Sequence, residues 1–159
     1  MKFDFPIKLG SMVRDETTKV EGILIAATKE INGNWRGDIQ PQTTDNKFID
    51  AISTDAVNIE IINDGLSSKV SDTMPDTKFE LEQEVEDKHN EAKGIVHRIS
   101  WHMNGCIIYR IKSKSEDKLS GGPKYTQAFE NDIKAIAPPP TKDETPPTGG
   151  PVERLSRGD

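Results

Sequence analysis

The chain has 159 residues, 33% hydrophobic and 30% charged, with mean hydropathy −0.67 and a formal charge of −6. That length holds one ordinary domain or two very small ones, and the acidic balance disfavours nucleic acid, whose phosphates call for a basic footprint. The single cysteine, Cys106, excludes an internal disulfide framework and fits synthesis in a reducing cytoplasm, and no run of 18 apolar residues offers a membrane span.

The opening Met1–Pro6 lacks the apolar core of a signal peptide. From Ile7 onward the chain repeats itself: residues 7–40 align without a gap on 79–112 at a constant offset of 72. Eight of these 34 positions are identical: Leu9/Leu81, Val13/Val85, Asp15/Asp87, Gly22/Gly94, Ile23/Ile95, Asn32/Asn104, Gly33/Gly105 and Ile39/Ile111. They fall at turn glycines and strand apolars, which shared architecture explains better than shared composition.

Each copy reads as a strand at Met12–Asp15 or Glu84–Asp87, a polar turn, a strand from Gly22 or Gly94, an Asn-Gly hairpin, and a return to Ile39 or Ile111. A last apolar segment follows, Ala56–Ile62 in the first copy and Asp132–Ile136 in the second. Short stretches at Asp45–Ser53 and Thr126–Asn131 could form a helical turn. The expected fold is all-β, a tandem duplication of two small SH3-like barrels over residues 1–62 and 79–136. Residues 63–78, rich in Gly, Ser, Asp and Pro, read as a linker that leaves the barrels separable. Residues 137–159 read as an extended Pro/Gly-rich arm of polyproline II character.

Asn104-Gly105 is a strong signal for a two-residue type I′ hairpin. That loop pairs Met103 with Cys106, Trp101 with Ile108 and Arg98 with Ile111. Alternation then puts Val96, Ile107, Tyr109 and Ile111 on one face, matched by Leu24, Trp35, Gly37 and Ile39 in the first copy. This is the expected core. The opposite face of the second copy carries His97, Ile99, Trp101, Met103, Cys106 and Ile108, an apolar strip that suggests a contact surface. Packing against the first barrel, or closing the second barrel through strand coiling, is the alternative use of that strip. The predicted partner-binding residues are Ile99, Trp101, Met103 and Ile108, joined by Pro138, Pro139, Pro140, Arg154 and Arg157 of the arm. On this reading Trp101 can be replaced without unfolding the second barrel.

The remaining signals point away from chemistry. His97, His102 and Cys106 alternate to different faces and lack a fourth ligand at a familiar spacing, so no metal site is expected and a buried thiol is the simpler reading of Cys106. Asp15 and Asp87 follow a strand in both copies, where a carboxylate accepts turn N–H groups. No nucleophile elbow or phosphate cradle is present, and neither a catalytic nor a cofactor-binding residue is predicted. Arg98, Tyr109 and Arg110 are the residues that could converge in a pocket.

The second copy, F-E-L-E-Q-E-V-E-D, then K-G-I-V, then N-G-C-I-I-Y, resembles a family of small proteins encoded in tailed-bacteriophage genomes. The family pattern is roughly Phe-x-Leu-Gly-x-x-Val-x-Asp, Gly-Ile-x, then Leu-x-Gly-Cys-x-x-Tyr, often with a Gly-Gly-Pro tail. Phe79, Leu81, Val85, Asp87, Gly94, Ile95, Gly105, Cys106 and Tyr109 match, as does Gly149-Gly150-Pro151. Glu82 stands where glycine is usual, and Asn104 precedes the turn glycine. The resemblance covers about half the chain and implies phage origin without an activity. With the strip and the arm it sets the expectation of a non-enzymatic virion structural protein, made in the host cytoplasm and carried in the particle. Capsid decoration is the first choice and a tail or baseplate accessory the second. Its partners would be other virion proteins or further copies of itself. The alternative is a soluble phage protein that binds and inhibits a host protein or signalling molecule.

Overall fold

A computed structural model describes residues 1–43, 45, 47–116 and 121–141. Among these residues ten strands form: β1 (Met12–Asp15), β2 (Glu21–Glu30), β3 (Trp35–Pro41), β4 (Ile52–Asp55), β5 (Ile59–Asn63), β6 (Glu84–Asp87), β7 (Lys93–His102), β8 (Ile107–Glu116), β9 (Pro123–Phe129) and β10 (Ile133–Ala135). The only helical elements among the described residues are three 3₁₀ turns, at Ala56–Asn58, Ser67–Lys69 and Glu130–Asp132, and no helix there is long and apolar enough to cross a membrane. Of the stretches expected to turn helically, Asp45–Ser53 leads into β4 at Ile52, and Thr126–Asn131 begins in β9 and ends in the 3₁₀ turn at Glu130–Asp132.

All pairings are antiparallel. The first half runs β5-β1-β2-β3-β4 and the second β10-β6-β7-β8-β9, and neither closes on itself among the described residues. β2 and β7 each serve two partners along one edge. Gly22 and Ile23 of β2 pair with β1, while Ala26–Glu30 pair with β7. The switch occurs at a bulge at Ile25, and β7 has the corresponding bulge at His97. An extra residue in one strand bends it locally, which lets β2 and β7 leave their own halves and meet.

Their seam pairs Ala26 with His102, Ala27 with Trp101, Thr28 with Ser100, Lys29 with Ile99 and Glu30 with Arg98. Thr28 and Ser100 lie 72 residues apart and share a 2.7 Å hydroxyl–hydroxyl bond. The halves are thus joined in one sheet and one continuous apolar cluster, not tethered as separable bodies. The intervening segment is also laid on this core: Val70 is buried, Met74 packs against the cluster, and the Pro75 carbonyl accepts the indole N–H of Trp101 at 3.1 Å.

The hairpin turn differs from the expected one by a single residue. His102 N–H bonds to the Cys106 carbonyl at 2.9 Å and Gly105 N–H to the His102 carbonyl at 2.9 Å. Gly105 has φ +88°, whereas Asn104 stays out of the left-handed region. This is a three-residue loop, a type I turn closed by a left-handed glycine. The Asn104 carboxamide accepts Cys106 N–H at 3.0 Å, so it organises the turn through its side chain. Gly33, also at φ +88°, closes the β2–β3 turn in the same way.

Sliding the register by one exchanges the strand faces. Trp101 now pairs with Ile107, Ser100 with Ile108, Ile99 with Tyr109 and Arg98 with Arg110. Ile99 and Trp101 join the core, and the bulge at His97 returns Val96 and Ile111 to that same side.

A left-handed residue recurs at matched positions of the two halves: Lys19 with Glu91, and Gly10 with Glu82, which has φ +66°. Glu82 is exposed, so its strain is not offset by burial of its side chain. The left-handed region costs a non-glycine residue about 1–2 kcal/mol, part of which is cancelled by the greater chain entropy glycine loses on folding. Glu82→Gly should therefore stabilise the protein by about 0.5–1 kcal/mol, read as a higher urea midpoint at unchanged slope.

Candidate functional site

The predicted contact strip is divided between the two sides of the sheet. Ile99 and Trp101 are 0% exposed, and Met103 is half-buried against the core. Ile108, also half-buried, lies on the opposite side beside Ser100. The cover over Trp101 comes from the start of the same chain. Phe3 approaches it at 5.6 Å between ring centroids, and Trp35 at 5.5 Å. Phe5 in turn stacks edge-on to Trp35 at 5.4 Å. The alternation Phe3, Phe5, Ile7, Leu9 is the sequence signal that marks this segment as a core-facing extended stretch. A strip covered in this way offers no free surface, and the partner-binding role expected of Ile99 and Trp101 loses its geometric basis.

In the arm, Pro138, Pro139 and Pro140 are exposed, just beyond the Ala137 carbonyl that accepts the Gln83 carboxamide at 3.1 Å. Arg154 and Arg157 lie outside the described residues. Cys106 is exposed at the hairpin turn instead of buried. His102 shares the outer side with Ser100, and His97 sits at the bulge with its ring edge-on to Tyr125 at 5.2 Å. No group of three or more His, Cys, Asp or Glu among the described residues is arranged to hold a metal ion.

What the register does assemble is a polar outer face. Successive pairings across β4, β3, β2, β7, β8 and β9 set Asp55, Arg36, Thr28, Ser100, Ile108 and Phe129 side by side. The neighbouring row is Glu30, Arg98, Arg110 and Gln127. A depression of about 220 Å³ opens over the Thr28–Ser100 pair, bordered by Arg36, Asp38, Ser53, Arg98, Ile108, Arg110 and Gln127.

Its guanidinium groups are unequally matched. Arg36 meets Asp55 at 3.0 Å and Arg98 meets Glu30 at 3.1 Å. Arg110 lies over the Tyr125 ring at 4.4 Å and has no carboxylate ion-pair partner among the described residues. Burial, and then the nearby charges of Arg98, Arg110 and Lys112, hold the His97 imidazole below its ordinary pKa. Arg98 and Arg110 come together as the sequence allowed, but Tyr109 points the other way. Its buried hydroxyl donates to Glu130, and burial together with that carboxylate pushes its pKa far up.

A second hollow, about 400 Å³ and largely apolar, is bordered by Pro6, Gly33, Asn34, Trp35, Asp55, Ala56 and Val57. Val57 is 91% exposed. Gly33 also borders the hollow that reaches Pro140 and Thr141, so the last described residues of the arm lie close to this groove.

Asp15 has the architectural place its spacing implied. It is 2% exposed and accepts bonds from Thr18 Oγ1 at 2.6 Å, Thr54 Oγ1 at 3.0 Å and the N–H groups of Thr17 and Thr18. Asp87 receives the N–H groups of His89 and Asn90 at the matched turn.

Compared with protein-family models, curated proteins and solved structures, the chain matches none.

Two outcomes follow from these placements. Trp101→Ala should destabilise the whole fold by about 3–5 kcal/mol in urea unfolding, whereas an exposed tryptophan would leave stability nearly unchanged. Hydrogen bonding from Thr18, ahead of the other donors, holds the Asp15 carboxyl below its ordinary pKa despite burial. Its ionised form therefore stabilises the fold fully above the unfolded aspartate value of about 3.9, and that contribution is lost as pH falls toward the lower folded value. Asp15→Asn should cost about 1–3 kcal/mol at pH 7, and the difference from the parent chain should shrink in acid, read as melting temperature against pH.

Proposed function

We propose that this chain is a non-enzymatic structural protein of a tailed-phage virion, built from two SH3-like barrels that arose by duplication. Its first assignment is capsid decoration and its second a tail or baseplate accessory. In support of the duplication, the five-strand order β5-β1-β2-β3-β4 with a 3₁₀ turn before its last strand recurs as β10-β6-β7-β8-β9. The bulges at Ile25 and His97 and the turn glycines Gly33 and Gly105 keep the same 72-residue spacing as Thr28 and Ser100.

The observation that carries the attachment role is the apolar groove beside Trp35, with Val57 open to solvent on its lip and the described end of the arm nearby. The anchor moves there from the enclosed strip. Its occupant is an apolar side chain of a neighbouring virion subunit, held while the proline-rich arm engages the same lattice. Repeated attachment raises effective concentration, so each contact can be weak.

Val57→Asp should leave the melting temperature within about 0.5 kcal/mol equivalent of the parent and remove the protein from particles, counted as copies per virion by mass spectrometry. Unchanged copy number in that variant would overturn the groove as anchor. The polar depression over Thr28 and Ser100 favours a second reading, a soluble phage protein that inhibits a host protein or signalling molecule. Absence of the parent chain from purified particles selects that reading.

A further inference from the structure

We propose that the outer face holds an oxyanion site at the Arg98–Arg110 end of the depression, which takes the carboxylate or phosphate group of a larger ligand. The site is independent of whether the chain is carried in a particle or acts free in the cell.

Arg98 and Arg110 are direct partners across β7 and β8, and like charges placed opposite each other in a sheet repel. Glu30 offsets one of the two, through Arg98 Nη2 at 3.1 Å. Arg98 Nε is buried without a hydrogen-bond acceptor, and Arg110 is held by the Tyr125 ring at 4.4 Å without an ion-pair partner among the described residues. A buried donor left unmatched is costly, and an anion seated between the two guanidinium groups would match it and remove the repulsion.

Further donors surround the same space. The Thr28 and Ser100 hydroxyls carry two protons between them and spend one on their mutual bond at 2.7 Å, which leaves one to donate. Gln127, opposite Arg110 on β9, adds a carboxamide N–H, and Arg36 borders the far side. Planar guanidinium forks suit the two oxygens of a carboxylate or phosphate.

The negative groups fix where the anion can sit. Asp38 lines the depression from β3, beside Ala26 and across the seam from the arginine pair, so an anion is repelled from that end. Glu30 and Asp55 are each engaged by an arginine. The volume, about 220 Å³, admits a head group with the remainder of the ligand outside.

The test uses the full chain, isotopically labelled, titrated at constant ionic strength with inorganic phosphate and separately with succinate, with chloride as the control. The expected result is saturable movement of the Arg98 and Arg110 Nε–H signals and the Gln127 side-chain amide. Tighter binding of phosphate assigns phosphoryl ligands, and tighter binding of succinate assigns carboxylates such as acidic side chains of a protein. Arg110→Gln should weaken the binding at least tenfold, and Gln127→Glu, on an exposed edge position, should do so without disturbing the Tyr125 stack. Lys134→Gln, on β10 away from the depression, should leave it unchanged. Absence of saturable movement with both ligands, movement matched by chloride, or undiminished binding in folded Arg110→Gln and Gln127→Glu would overturn the site.

Discussion

Loop length at the hairpin tip is the constraint on which the remaining geometry depends, because a strand has only two sides and one residue of slip exchanges them. At both Asn-Gly turns the glycine alone takes the left-handed conformation, and the three-residue loop that results sends Trp101 inward and Arg98 outward. Open space surrounds Gly33 and Gly105, so their backbone angle, and not crowding, demands glycine there. With a two-residue loop, the indole would face water and Arg98 would turn to the core side opposite Ile111, away from Arg110.

The seam between β2 and β7 follows from that choice. Ala27 stands opposite Trp101, a small residue that leaves room for a large one, and both are fully enclosed. The halves then distribute volume differently around matched backbones. Tyr109 fills the second half, and the corresponding first-half position is Gly37, where an added Cβ would lie 2.5 Å from Ile59 Cδ1 and 2.8 Å from Leu24 Cδ1. The space a tyrosine would need is already taken by neighbouring aliphatic side chains. Pairing β2 with β7 also covers two strand edges that would otherwise be open.

The strands β1 to β3 and β6 to β8 were legible because apolar residues and turn glycines recur at the same spacing in both copies. The core set Val96, Ile107, Tyr109 and Ile111 was also legible, since it is apolar in both repeats and buried. β9 was not, because Pro123-Lys-Tyr-Thr-Gln-Ala-Phe129 is an edge strand that buries little beyond Ala128 and so carries almost no periodic signal. The outer depression was only half visible. Arg98 and Arg110 stand out as basic residues in a greasy segment, but Arg36, Thr28 and Gln127 join them only through two hairpin registers and a seam that sequence spacing does not fix. The bulges at Ile25 and His97 hide the same information, since each breaks alternation in mid-strand.

The separation along the chain of the two seam strands bears on how the molecule folds. Thr28 and Ser100 are 72 residues apart, whereas Glu30 and Asn34 already bond across their turn. Loop closure grows costlier with the length of chain enclosed, and distant pairings form slowly. The hairpins therefore assemble early and the centre of the sheet late. A chain stalled between those stages has the inner borders of β2 and β7 unpaired, each a template for the equivalent strand of another molecule.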